Sequence, residues 1–479
     1  MSFTQIVGKL DESRNLNTSP FTVSGLKGDQ FDYSFMIFCD AGGAISNTLH
    51  EINFNSDTGN NYENHDMEGL GTAKSVGNTT GDSKIYLDQF QRNNSNRNSL
   101  CVGAITGDSS QDRIIKTLFC CGQPRLANTF GIWTNNVDEL TSITFKSGVS
   151  ASYKWHIVVF EVPKVGNDDQ WELIDTLSWS ASATEQSFTD LEGDIDEQYL
   201  IDWDGQAANL HCEINNDASS IYTRQVIQNT GSAFQATNAT TESKIRVRQS
   251  GSCIINALTG VDRTATAFDG ADGSNKHSIE SYWYRNTATE MTSLYCTPSA
   301  SSTAKAKLYR RKNPKIPADM FRLPFEFVDS IDVDSADFTT GESFTGLEGD
   351  KVLMYRLEFN GVNTSNTTVQ TNGDTGASDY AYQVLRGTGT AESAGSDTAH
   401  LNIFLTGDSN GDVANSVTYI YPKSGEYRPC LSYSMIDEDQ IDLFASWRLD
   451  TADEITSLLV STTASGQITG KFTLSAIYL

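Results

Sequence analysis

A short phrase is written three times in this chain. It reads Trp133 and then ELTSITF at 139–145, Trp283 and then EMTSLYC at 290–296, and Trp447 and then EITSLLV at 454–460. Trp leads Glu by six, seven and seven residues. A second phrase stands ahead of each: GLKGD at 25–29, DLEGD at 190–194 and GLEGD at 346–350. Two ordered markers at a period of roughly 150–165 residues are the signature of tandem units, and they decide how everything else is parsed. The chain reads as three copies of one domain: 1–165 with a polar N-terminal arm, 166–312, and 313–479 with a Pro-containing linker at its start. A length of 479 residues agrees, at about 150 residues per domain.

Composition bears on what each copy is. The chain is 38% apolar, with 23 Phe and 18 Tyr, which provides for real cores. Gly, Ser, Thr, Asn and Asp are abundant, as expected where short strands are joined by turns. In the first copy FTVSGLKGDQFDYSFMIF (21–38) reads as strand, tight connection and strand, and YKWHIVVF (153–160) closes the copy. Residues 66–83, rich in Gly, Ser, Thr and Asn, read as a long loop. In the third copy HLNIFLT (400–406), SVTYIYP (416–422), IDLFASWRL (441–449) and the terminal KFTLSAIYL (471–479) are strand runs. With around eight to ten short strands per copy and no sustained helical period, the expected fold is all-β, three tandem β-sandwich or jelly-roll-like domains.

The repeated residues read as architecture. Gly28-Asp29, Gly193-Asp194 and Gly349-Asp350 fit type I′ or II′ hairpin turns, where Gly supplies positive φ. Trp133, Trp283 and Trp447 read as packing anchors at the end of a late strand. The paired acids Glu192/Asp194 and Glu348/Asp350 are of a type that serves calcium or glycoside hydrolysis, but the first copy has Lys27 at the Glu place. SDTGN (56–60) and NGDTG (372–376) lack the spacing of an EF-hand. The six His never fall within four residues of one another, and HExxH, GxSxG, P-loop and dinucleotide fingerprints are all missing. The eight Cys show no CxxC spacing and read as reduced, buried residues, with Cys120 and Cys121 on opposite faces of a strand. No catalytic, cofactor or metal site is assigned.

The net charge of −27 repels nucleic acid and anionic membranes. The basic cluster at 309–315 lies between copies and reads as a linker pairing with acidic neighbours. The N-terminus lacks a signal-peptide pattern, and no apolar run is long enough for a spanning helix.

SFTGLEGD (343–350), NGDTGASDYAYQ (372–383) and the run from Trp447 through DEITSLLVSTTASGQITG (453–470) resemble a repeat of tailed-bacteriophage virion proteins, a group of uncharacterised capsid-associated, tail or fibre-like structural proteins. Gly346, Asp350, Trp447 and Ser457 carry the likeness; the second copy is intermediate, and the first departs most. The resemblance implies a non-enzymatic virion component, a capsid decoration or a tail, collar or fibre protein, whose partners are copies of itself and other virion proteins. A second class is a carbohydrate-binding host-recognition protein of the particle, since jelly rolls include lectins; Tyr284 and Tyr382 are its candidate contacts with host surface glycans. Tandem β domains with short loops would also act as rigid spacers, and exposed sheet edges favour closed rings or trimers of the chain.

Overall fold

The computed structural model describes residues 5–478 apart from 41–43, 47–49, 71, 88–92, 96–98, 107–108, 110–111, 122–124, 136, 165–169, 206–207, 220–221, 250, 261–262, 270–276, 285–287, 313–318, 375–379, 401–402, 407–411, 427, 437–439 and 449–451. β-Branched and aromatic runs form strands nearly throughout, in discrete antiparallel sheets of an all-β, multi-domain architecture.

The third repeat contains one large and one small sheet. The large sheet runs, in spatial order, through Glu326–Ser335, Ile468–Tyr478, Val352–Asn363, Asp412–Ile420, Arg428–Ile436, Gln440–Arg448, Tyr380–Thr388 and Ala391–His400. The small one runs through Glu342–Thr345, Ser457–Thr462, Thr367–Thr371 and Ile403–Thr406. Counted along the chain, the large sheet takes strands in the order first, twelfth, third, eighth, ninth, tenth, fifth and sixth; the small sheet takes second, eleventh, fourth and seventh. The same two orders recur in the second repeat, from Trp171–Ser182 onward, and in the first, from Gln5–Arg14 onward. The first repeat adds a small ribbon of Ala44–Ser46 and Asn93–Ser95. We call each sheet pair a unit. Within each, inward-facing residues of both sheets share one apolar layer.

Several segments differ from the sequence expectation. The polar arm is an edge strand: Gln5–Arg14 pairs with Tyr153–Pro163, and its polarity suits a strand exposed along most of its length. The long loop at 66–83 is instead a hairpin, Tyr62–Leu70 paired with Ala73–Asp82. It lacks apolar alternation because Ala73–Asp82 is a partly exposed sheet edge, while Tyr62–Leu70 buries polar groups against neighbouring units. Of the basic linker, Tyr309, Arg310 and Arg311 end the strand Ser302–Arg311, and 313–318 lie outside the described residues. The linker's remainder is core. Phe321, Leu323 and Phe325 are buried, the Ser34 hydroxyl donates to Phe321 O, and buried Asp319 accepts from the Tyr419 hydroxyl at 2.5 Å.

The units do not lie in line. The outer faces of the three large sheets meet in one shared apolar cluster, with Met67 and Leu118 from the first, Ile227 and Trp283 from the second, and Leu385 and Trp447 from the third. Strands at this junction are buried on both faces, as along His277–Tyr284 and Arg428–Ile436. Tyr62, Tyr222 and Tyr380 occupy one register position, each opposite the strand end at Trp133, Tyr284 or Arg448. Counting seven residues on gives Gly69, Asn229 and Gly387. A Cβ on Gly69 would lie 3.0 Å from Gln383 Nε2 of the third unit, and one on Gly387 would lie 3.3 Å from Gln225 Nε2 of the second. Asn229 Nδ2 donates to Asp66 O of the first unit at 3.0 Å. First touches third, third touches second, and second touches first through equivalent positions, so the contacts close in a pseudo-threefold ring.

Candidate functional site

The repeated phrases meet each other at one end of every unit. Backbone N–H groups of Leu26 and Gly28 donate to Thr141 O and Leu140 O; Leu191 and Gly193 donate to Thr292 O and Met291 O; Leu347 and Gly349 donate to Thr456 O and Ile455 O, all at 3.0–3.1 Å. The next amide, of Asp29, Asp194 or Asp350, reaches the carboxylate of Glu139, Glu290 or Glu454 at 3.3, 3.3 and 3.1 Å. Each Asp carboxylate in turn accepts from a third segment: Ser109 N and Oγ at 2.8 and 2.9 Å, Thr259 N at 2.7 Å, and Ser424 N and Oγ at 2.8 and 2.7 Å. The Thr259 bonds hold the Asp194 carboxyl below its ordinary value.

This geometry corrects the hairpin-turn reading of Gly28-Asp29, Gly193-Asp194 and Gly349-Asp350. The segment crosses from the small sheet to the large one, and in two units it coils as Gly193–Asp196 or Gly349–Lys351. Positive φ falls three residues earlier, at Gly25, Asp190 and Gly346 (77°, 58° and 69°). The second Gly is there for close approach: a Cβ on Gly193 would lie 3.0 Å from Met291 O and 3.1 Å from Ala257 O, and one on Gly349 would lie 3.1 Å from Ile455 N.

Two further members of the cluster were not singled out from sequence. Asn55, Asn215 and Asn372, with φ of 50°, 54° and 56°, each donate Nδ2 to the carbonyl of the phrase's Glu at 2.7 Å and accept two phrase amides at 2.8–3.1 Å. Buried Arg113, Arg263 and Arg428 donate to the carbonyls of Asp138, Thr289 and Asp453, just ahead of that Glu. Their spacing of 26, 27 and 26 residues before the Glu was the available signal.

The Trp residues are not one position. Trp133 pairs with Tyr62 at the place that Tyr284 and Arg448 take in the other units, and its Nε1–H donates to Asp57 at 2.8 Å. Trp283 and Trp447 stand one register step earlier, opposite Thr223 and Ala381. One step reverses the face. Trp133 therefore packs inside its own unit, and the other two pack in the shared cluster. The spacing of six rather than seven residues reports this flip.

Of the two candidate glycan contacts, Tyr284 is 1% exposed, its ring lies in the second unit's core and its hydroxyl donates to Asp217 at 3.1 Å. It offers no ring face to a sugar, which corrects that assignment. Tyr382 is half-buried on Tyr380–Thr388. Cys120 and Cys121 do face opposite ways, toward the shared cluster and toward the first unit's core.

Charged clefts mark the joints. One of about 230 Å³ between first and third units holds His156, whose Nδ1 is 3.0 Å from Asp11 and whose Nε2 is 3.6 Å from Glu426. Glu426 also accepts from Lys154, and from the Tyr421 hydroxyl at 2.8 Å. Burial alone would raise its carboxyl; the His156 imidazole at 3.6 Å and the hydrogen bonds from Lys154 and Tyr421 outweigh that and hold it at about 2. The nearby Ser424 hydroxyl donates to Asp350. A second cleft, of about 110 Å³ between first and second units, places Lys116 2.9 Å from Ser252 Oγ, which donates to Asp202 at 2.8 Å. In the first cleft Lys154 and Glu426 form an ion pair across the joint, and in the second the Lys116 ammonium reaches across to a hydroxyl. Among the described residues no three His, Cys, Asp or Glu side chains gather as metal ligands.

No protein-family model and no curated protein matches the chain. Among solved structures it is similar at a low level to a β-fructofuranosidase from Schwanniomyces occidentalis (8% identity, 85% of this chain and 76% of that one, TM-score 0.19). It is likewise similar to the T=1 Penaeus vannamei nodavirus (10%, 65% and 99%, TM-score 0.13) and to Pseudomonas aeruginosa OpdQ (9%, 94% and 98%, TM-score 0.12). At these scores the likenesses carry no argument about fold or function.

Proposed function

We propose that the chain is a non-enzymatic structural protein of a bacteriophage virion, a capsid decoration or a tail, collar or fibre component, in which three jelly-roll domains form a pseudo-trimer within one polypeptide. The jelly-roll reading rests on strand order. Strands first-twelfth-third-eighth and second-eleventh-fourth-seventh follow the order of the two facing four-stranded sheets of an eight-stranded jelly roll, with the ninth, tenth, fifth and sixth extending one of them.

The observation that carries the assembly reading is the pseudo-threefold ring about a shared apolar cluster. Such a body presents three similar faces and suits a site of threefold symmetry in a larger lattice, where heterologous contacts close. Paired charges at the joints and fully engaged Asp and Glu residues in the repeated clusters support a framework role.

The test is proteomics and imaging of purified particles from the host system that encodes the chain. The expected result is the chain at a copy number set by particle symmetry, with three-lobed density. Its absence from particles would overturn the proposal.

A further inference from the structure

The second unit departs from the others at one core pair. Cys212 on Leu210–Ile214 and Cys296 on Leu294–Pro298 are direct cross-strand partners on the two central strands of the small sheet. Both are 0% exposed, and their Sγ atoms lie 3.6 Å apart. The same positions hold Ile52 and Phe145 in the first unit and Val369 and Val460 in the third.

The backbone pattern around the pair is decisive. Asn215 N–H donates to Ser293 O at 3.0 Å and Ser299 N–H donates to Asn209 O at 2.8 Å, so 215/293 and 209/299 are hydrogen-bonded pairs. Antiparallel ladders alternate, which makes 212/296 a non-hydrogen-bonded pair, the kind whose Cα atoms come within about 4.5 Å. A disulfide accepts Cα separations of about 4.4–6.8 Å. Small modest rotations of two side chains already in van der Waals contact are all that closure needs.

We propose that Cys212 and Cys296 are a disulfide-forming pair that ties together the two central strands of this sheet. Closure forms one S–S bond by exchange through a mixed disulfide. The two thiol protons and two electrons pass to a disulfide oxidant, such as oxidised glutathione, which leaves as two reduced molecules. Burial and the adjacent sulfur push the Cys212 thiol up, so the thiolate that must attack is scarce in the closed unit. The bond therefore forms while the unit is folding and resists reductant afterwards.

The test uses the full chain in two arms, one refolded from denaturant in a glutathione redox buffer and one held native with oxidised glutathione. Both are alkylated under denaturing conditions and mapped by mass spectrometry. A peptide joining Cys212 to Cys296, abundant in the refolded arm and slow to appear in the native arm, is expected. Full alkylation of both cysteines in both arms would overturn the proposal. A Cys212→Val, Cys296→Val double variant should lose the mobility difference between reduced and oxidised samples; persistence of that difference would assign it to another pair and count against the proposal.

Discussion

Asn55, Asn215 and Asn372 combine two tasks in one residue: each tolerates a left-handed backbone and each uses both its amide nitrogen and its amide oxygen on the repeated phrase. Asn372→Ala should cost about 3 kcal/mol in denaturant unfolding, and Asn372→Gly, which keeps the φ freedom, about 2 kcal/mol. Equal costs would mean that the hydrogen bonds alone, not the left-handed backbone, set the requirement; a negligible cost for Asn372→Gly would mean the reverse. The Gly-Asp and Glu-x-Thr-Ser phrases were visible in the sequence through their spacing. That they bind each other was not, because Asp29 and Glu139 are 110 residues apart and nothing local encodes the pairing. Gly before Asp signals a turn and a close approach equally well, and here the second applied.

Two titrating residues make joint stability depend on pH. Glu426, held at about 2 against an ordinary 4.5, stabilises the first–third joint fully above about 4.5 and loses that contribution as pH falls toward 2. His277 is fully buried, and burial, with His65 nearby, lowers it to about 3 against 6.5. The unfolded chain therefore takes up a proton that the folded one refuses, and stability falls from pH 6.5 down to about 3. Urea midpoints measured across pH should decline through both windows. Glu426→Gln should flatten the lower one and His277→Gln the upper one.

At the scale of elements, the strands of the repeated copies were legible wherever apolar residues alternate or run continuously, as in 153–160 and 441–448. The edge strands Gln5–Arg14 and Ala73–Asp82 were missed because a strand with little apolar surface to bury carries no period-two signal. The Trp phrases were read as one feature although a single-residue offset sends Trp133 to one face and Trp447 to the other. That offset has a measurable consequence. Trp133→Ala and Trp447→Ala should each cost about 3–5 kcal/mol, but hydrogen exchange should separate them. Trp133→Ala should expose amides of the first unit's small sheet. Trp447→Ala should expose Arg125–Trp133 and Tyr222–Asn229, the strands of the other units packed against its own.

For the whole molecule, tandem copies suggested rigid spacers, and the structure folds them about a common centre. The reason is the second face of each large sheet. In a row that face would be solvated and polar, whereas Met67, Ile227 and Leu385, at one register position in the three units, need cover that only the neighbours supply. The sequence holds those residues in plain view, but a strand buried on both faces reads like any short apolar run. Sharing this core should make thermal unfolding one cooperative transition by calorimetry rather than three.

The most direct test of the closed arrangement is small-angle X-ray scattering on the full chain in dilute solution. A ring of three units about a shared core predicts a radius of gyration of about 23 Å, the value for a compact chain of this length. A row of three domains would give a distinctly larger radius, with an elongated distance distribution, and would contradict the shared core on which the pseudo-trimer rests.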